Sequence, residues 1–138
     1  MRPIKFRAWD SWNEKMLYQE KDEFVISENT IGYEWCNEGG GGIEFRDKEN
    51  ISLMQFTGLL DKNGKEIYEG DVVKMLDEYI DHYTLYSNHK IEFGSGTFRL
   101  ENGVPLSDCL DENSDFERCE FEIIGNVWEN PELLEASK

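Results

Sequence analysis

At 138 residues the chain fits one domain, long enough to bury about two thirds of the surface its unfolded form exposes. Its 30 acidic side chains against 14 basic ones give a formal charge of -16, which argues against direct nucleic acid binding, since that draws on Lys and Arg displacing counterions. No run approaches the roughly 18 apolar residues of a spanning helix, MRPIKFRAWD lacks a signal peptide's apolar core, and the cysteines Cys36, Cys109 and Cys119 form no CxxC pair; a cytoplasmic protein with reduced thiols, no disulfide framework and no membrane partner is expected.

In chain order, IKFRAWDSWNEKMLY predicts a hairpin over residues 1–19. Ile4, Phe6 and Ala8 share one face, Lys5, Arg7 and Trp9 the other, and Trp9 and Trp12 cover the core edge near the turn. This end is slightly basic, with Arg2, Lys5, Arg7 and Lys15 against Asp10 and Glu14. Residues 20–50 read as an acidic insert. The run Gly39 to Gly42 inside it predicts a flexible surface loop, because glycine adds no side chain and loses much entropy on ordering. No GK[ST] follows to turn it into a phosphate cradle.

The stretch LMQFTGLLDKNGKEIYEGDVVK predicts a strand from Leu53 to Phe56 that Thr57 and Gly58 end or bend. DKNGKE supplies a sharp turn with Asn63 and Gly64 both in the left-handed region, Ile67 and Tyr68 resume the apolar pattern, and EGD makes a second turn before a β-branched strand over Val72, Val73, Met75 and Leu76. A calcium loop does not fit: counting from Asp61 puts Lys65 where a fifth-position oxygen ligand belongs and Val72 where the closing Glu belongs. Turn, short strand, turn, strand is the rhythm of a small barrel.

Further on, HKIEFGSGTFRLENG predicts strands Lys90–Phe93 and Thr97–Leu100 joined by GSG. SDCLDENSDFE reads as an acidic connection holding a helical turn capped by Ser107. CEFEIIGNVW sets Cys119, Phe121 and Ile123 on one side of a strand and Glu120, Glu122 and Ile124 on the other, with Gly125 as a bulge. ENPELL predicts a short helical turn with Asn130 as N-cap, Pro131 in first position, and Leu133 and Leu134 as anchors. Glu101 to Lys138 carries eleven acids against Arg118 and Lys138 alone, so the C-terminal end is the anionic end.

Chemical motifs are scarce. His82 and His89 lie seven apart, outside the spacing of a helical zinc pair, and no nucleophile elbow, P-loop or dinucleotide fingerprint occurs. Linear order alone leaves a Ser-His-Asp arrangement open. With 30 carboxylates, a pair at glycosidase-like separation arises by chance and means nothing. The fold expected is all-β: a small partly open SH3-like barrel over residues 51–138 with extra hairpins, acidic loops and short helical turns, the whole forming a single domain over 1–138.

Three stretches, IKFRAWD, LMQFTGLLDKNGKEIYEGDVVK and IIGNVWENPELL, stand in order at the beginning, middle and end of the chain. Together they resemble the YopX family of bacteriophage and prophage proteins; the segments between them add nothing. The resemblance implies a small, mainly β, phage-encoded protein and supplies no catalytic residue. The expectation is therefore a phage or prophage accessory protein acting as a non-enzymatic binding module, without a cofactor or metal. It would engage an unidentified host or phage protein through an acidic surface comprising Asp108, Asp111, Glu112, Asp115, Glu117, Glu120 and Glu122, in its bolder form mimicking the charge of DNA. The alternative is a metal-dependent hydrolase or nuclease built on Asp71, Asp77, Glu78, Asp81 and His82. Open barrel edges also leave room for a homo-oligomer paired through edge strands.

Overall fold

A computed structural model of the chain describes residues 4–21, 24–26, 31–46, 50–80, 83–110 and 118–135. Among these the protein is all-β, with two four-stranded antiparallel sheets, a three-stranded sheet, a half-barrel curl and one short helix. No helix among the described residues is long and apolar enough to cross a membrane. The chain divides into two compact units, one within Pro3–Gln55 and one within Phe56–Lys138.

In the first unit, β1 (Phe6–Asp10) and β2 (Lys15–Tyr18) make the expected hairpin in the register Ala8 opposite Leu17. What closes it is Asp10, which is 1% exposed: Oδ1 accepts from the N–H of Trp12 and Asn13 (3.0 and 3.2 Å) and Oδ2 from Asn13 Nδ2 (2.8 Å). A carboxylate so placed satisfies turn N–H groups that the ladder leaves without a partner. A 3-10 turn (Gln19–Lys21) leads to β3 (Val25–Ile26), β4 (Ile31–Asn37) and β5 (Gly40–Arg46), and then to β6 (Ile51–Leu60), whose first half pairs with β1, Ala8 opposite Leu53. Ala8, Leu17, Phe24 and Ile51 form the core, with Phe6 packed against it.

Several expectations change here. Ile4 precedes β1 and is 70% exposed, Trp12 is also 70% exposed, and Arg7 is buried. The glycine run is not a loop. Gly40, Gly41 and Gly42 pair with Asn37, Cys36 and Trp35, so the reversal is confined to Glu38 and Gly39. Ladder hydrogen bonds need only backbone groups, so glycine's conformational cost weakens a strand without forbidding it.

In the second unit, β6 continues through Thr57 and Gly58 and pairs irregularly with β7 (Glu66–Tyr68). Gly58 bends the strand at φ 88° without ending it. The buried Thr57 hydroxyl braces the bend, donating to the Ile67 carbonyl (2.8 Å) and accepting from the Leu59 N–H (3.2 Å). β8 (Asp71–Ile80), β9 (Tyr83–Gly94), β10 (Thr97–Leu100) and β11 (Glu122–Asn126) form one sheet in the order β10-β9-β8-β11. β9 and β10 join through Ser95 and Gly96, both left-handed (φ 52° and 79°), the two-residue turn whose twist matches a hairpin. The core gathers Ile67, Val73, Ile91, Leu100, Leu106, Cys109, Cys119 and Phe121. Burying each of the larger aliphatics contributes about 1.5–3 kcal/mol.

The turn at DKNGKE differs from the expected pair of left-handed residues. Only Gly64 has positive φ (83°), and the chain reverses around Asp61, which is 0% exposed. Its Oδ1 accepts from the N–H of Asn63 and Lys65 (2.9 and 2.8 Å), while Oδ2 accepts from the N–H of Ile123 in β11 (3.0 Å). One side chain thus fixes a local turn and a contact 62 residues away in sequence. The expected bulge at Gly125 is present as a register shift between Ile123 and Gly125. Helix α1 (Glu132–Glu135) follows, but Asn130 does not cap it with its side chain: Asn130 Oδ1 accepts from the Asn126 N–H (3.3 Å) and the Leu133 N–H donates to the Asn130 backbone carbonyl (3.2 Å).

Candidate functional site

The acidic surface expected from the sequence resolves into acids that the fold consumes and acids that it displays. Asp10 and Asp61 clamp turns as described, and Asp71, 2% exposed, accepts the Tyr68 N–H (2.8 Å) across the EGD reversal. Asp71 was the first member of the alternative metal cluster, and its carboxylate faces this backbone. Asp77 and Glu78 lie in β8, beside a second register irregularity, and Asp81 and His82 fall outside the described residues. Among the described residues no three metal-ligating side chains come together.

The displayed acids stand where two segments meet. A 3-10 turn spans Leu106–Cys109, beginning after Pro105, so Ser107 lies inside it and does not cap it. Leu106 and Cys109 point into the core, which turns Ser107 and Asp108 outward. Leu110 then bridges Cys119, and the Glu120 N–H donates to the Cys109 carbonyl (2.9 Å). Because Cys119 is buried, alternation carries Glu120 to solvent. Asp108 and Glu120 are therefore exposed on hydrogen-bonded neighbours. Glu122 is half-buried and sits opposite Lys74 in the ladder. Asp111, Glu112, Asp115 and Glu117 lie outside the described residues.

The thiols report the field of these acids. Burial first, then the charges of Asp108 and Glu120, push Cys109 up to about 11. Cys119 is pushed up to about 12 by burial, then by Cys109, Asp61 and Glu120. Thiols held protonated in this way pack as small apolar groups and are poor nucleophiles at neutral pH.

One polar chain was not legible in the sequence. Ser87 Oγ and His89 Nε2 share a hydrogen bond of 2.7 Å, His89 Nδ1 meets Glu101 Oε1 at 3.1 Å, and Glu101 Oε2 accepts from the Lys90 N–H at 2.8 Å. Serine, imidazole and carboxylate in this order is the connectivity that activates a nucleophile. Ser87 lies in the middle of β9, opposite Met75, on an extended backbone whose own N–H groups alternate in direction. What the chain does is tie the turn after β10 to β9, reinforced by the Glu101 N–H donating to the Lys90 carbonyl (3.1 Å). No spacing rule links Ser87 and His89 to Glu101, because a hairpin register brings them together.

Comparison with known proteins adds relationship without adding chemistry. No curated protein matches the chain. Among solved structures, the crystal structure of protein EF1440 from Enterococcus faecalis is similar, with a TM-score of 0.56 and 28% sequence identity over 97% of this chain and 99% of that one. The model of the YopX protein family matches residues 5–135, from the first strand to the helix. With the match covering both units and every described strand, the chain belongs to the YopX family.

Proposed function

We propose that this YopX family member is a phage or prophage accessory protein that acts in the bacterial cytoplasm by binding another protein and catalyses no reaction. Its partner is a host or phage protein with a basic surface, met by the anionic face around Asp108, Glu120 and Glu122. The observation that carries this reading is the division among the acids. Asp10, Asp61 and Asp71 are buried and occupied by backbone N–H groups, whereas Asp108 and Glu120 face solvent on adjacent segments at the most acidic end of a chain of charge -16. Opposed charge accelerates encounter and selects partners, and salt screens it. Mimicry of DNA's charge, toward a protein that ordinarily holds nucleic acid, is the bolder form of this reading, motivated by the charge of -16 alone.

The test is affinity purification of the full chain from host lysate at low and high salt, with the captured proteins identified by mass spectrometry. A basic partner retained at low salt and lost at high salt, and lost on Asp108→Lys with Glu120→Lys, supports the reading. A partner retained equally in all these conditions argues against steering by charge.

A further inference from the structure

Beside the displayed acids, within the Phe56–Lys138 unit, lies an open groove of about 220 Å3 whose walls include Thr57, Leu59, Phe98, Leu106, Ser107 and Leu110. Its floor is apolar. Leu106 is 1% exposed, Leu59 and Phe98 pack on the core, and Phe98 meets the ring of Phe93 edge-on at 5.2 Å. The wall residue Leu110 is 38% exposed, and Phe93, the ring partner of Phe98, is 56% exposed. Two hydroxyls of the wall are engaged within the fold: that of Thr57 serves Ile67 and Leu59, and that of Thr97 donates to the Phe98 carbonyl (3.3 Å). The groove is smaller than the roughly 300–1,000 Å3 of pockets that enclose a whole drug-sized ligand. It has room for about one side chain.

The charges beside it narrow the occupant further. Asp108 directly follows the wall residue Ser107, and Glu120 is hydrogen-bonded to Cys109, the neighbour of the wall residue Leu110. Both acids are exposed. An apolar recess whose neighbouring segments carry exposed acids is complementary to a chain segment bearing one aliphatic or aromatic residue flanked by Lys or Arg. We propose that the partner docks here, seating a single apolar side chain between Leu59, Phe98 and Leu110 while adjacent basic residues meet Asp108 and Glu120. The inference rests on the anionic-face reading and adds an anchor to it. An anchor in a desolvated recess carries most of the affinity at such sites, whereas rim charges chiefly set encounter rate and salt dependence.

Three synthetic peptides titrated into the full-length protein test it, followed by amide chemical shifts: Lys-Arg-Phe-Arg-Lys, its relative with Gly in place of Phe, and Glu-Asp-Phe-Asp-Glu, each blocked at both ends. The basic Phe peptide should bind at least about tenfold more tightly than the Gly peptide. It should shift Leu59, Phe98 and Leu110, and lose that advantage in Ser107→Trp, which fills the groove from an exposed position. Asp108→Lys with Glu120→Lys should weaken both basic peptides. Equal binding of the Phe and Gly peptides, both weakened by the charge reversals, would overturn the anchor and leave the anionic face standing. Binding of both basic peptides that ignores the charge reversals would remove the anionic face itself. Equal binding of the basic and acidic Phe peptides, or binding by none of them up to about 1 mM, would overturn the docking proposal.

Discussion

Among the buried polar residues, Asp10, Asp61, Asp71 and Asn126 each accept backbone N–H groups at a chain reversal. Asp61 is the clearest case, since three backbone N–H groups converge on one buried carboxylate. Each buried donor left without an acceptor costs about 1–3 kcal/mol, and water reaches some of the turn groups, so Asp61→Ala should destabilise by about 2–5 kcal/mol in urea unfolding followed by tryptophan fluorescence. Asp61→Asn keeps one acceptor and turns an amide N–H toward a donor, so about 1–3 kcal/mol is expected; a loss within error of zero for both would refute the clamp. Asn126 acts in the same way with a neutral amide, its Oδ1 accepting from the N–H of Trp128 and Glu129 (3.0 and 2.8 Å). The two raised thiols give a pH prediction. Below about pH 9, the ordinary thiol value, both states keep these protons; above it the unfolded chain loses them while the native chain holds them until about 11 for Cys109 and 12 for Cys119. The unfolded state then binds fewer protons, so stability falls as pH rises across that window. Urea midpoints measured from pH 8 to 11 should decline less steeply in Cys109→Ala with Cys119→Ala than in the parent, and identical slopes would show that the thiols do not contribute. The turn at DKNGKE was legible in its location and not in its mechanism: the Asn-Gly pair signalled a reversal, but nothing in the linear string shows that Asp61 also reaches Ile123 in β11.

Elements were legible where alternation and turn chemistry agreed. The hairpin of β1 and β2, the two-residue turn between β9 and β10, and the bulge in β11 all follow from short-range signals. The failures have a common cause. β9 runs back to Tyr83, well before the Lys90 start that the sequence suggested, because the polar run of Ser87, Asn88 and His89 hides its alternation. Gly40 to Gly42 join β5 because a partner strand supplies what side chains do not. Gly125 shows how an element end is held. A methyl group there would fall 2.5 Å from Asn130 Oδ1 and 2.7 Å from Leu133 Cδ1, so the approach of the C-terminal turn to β11 depends on the missing side chain. The Leu133 carbonyl also accepts from Asn88 Nδ2 in β9 (2.9 Å), tying α1 to the sheet. Gly125→Ala should therefore cost about 1–3 kcal/mol through overpacking and accelerate amide exchange at Leu133 and Leu134, while the turn at Ser95 and Gly96 keeps its exchange rates. Unchanged exchange in α1 would mean that the turn is held by other contacts.

For the molecule as a whole, charge is the dominant variable, and the sequence displayed its amount without its allocation. A net -16 predicts self-repulsion in the compact state, but three of the carboxylates are internal clamps and Glu101 is engaged with His89 and Lys90. The repulsion among the exposed groups must respond to ionic strength. The screening length falls from about 30 Å at 0.01 M salt to about 10 Å at 0.1 M, so distant like charges cease to interact while hydrogen-bonded clamps are barely affected. The thermal midpoint should accordingly rise by a few degrees over that range, equivalent to about 1 kcal/mol for a chain of this size. Sodium chloride and sodium sulfate compared at equal ionic strength separate screening from surface exclusion, because screening follows ionic strength alone in this dilute range. Asp108→Lys with Glu120→Lys should raise the low-salt midpoint and flatten its salt dependence, leaving the midpoint at 0.1 M nearly unchanged. That outcome would mean the displayed acids lower the protein's own stability where salt is low, which makes binding a basic partner the natural relief of their repulsion. A parent midpoint indifferent to salt would mean that the exposed acids are already neutralised within the fold, and the anionic face would then lose its energetic reason to seek a partner.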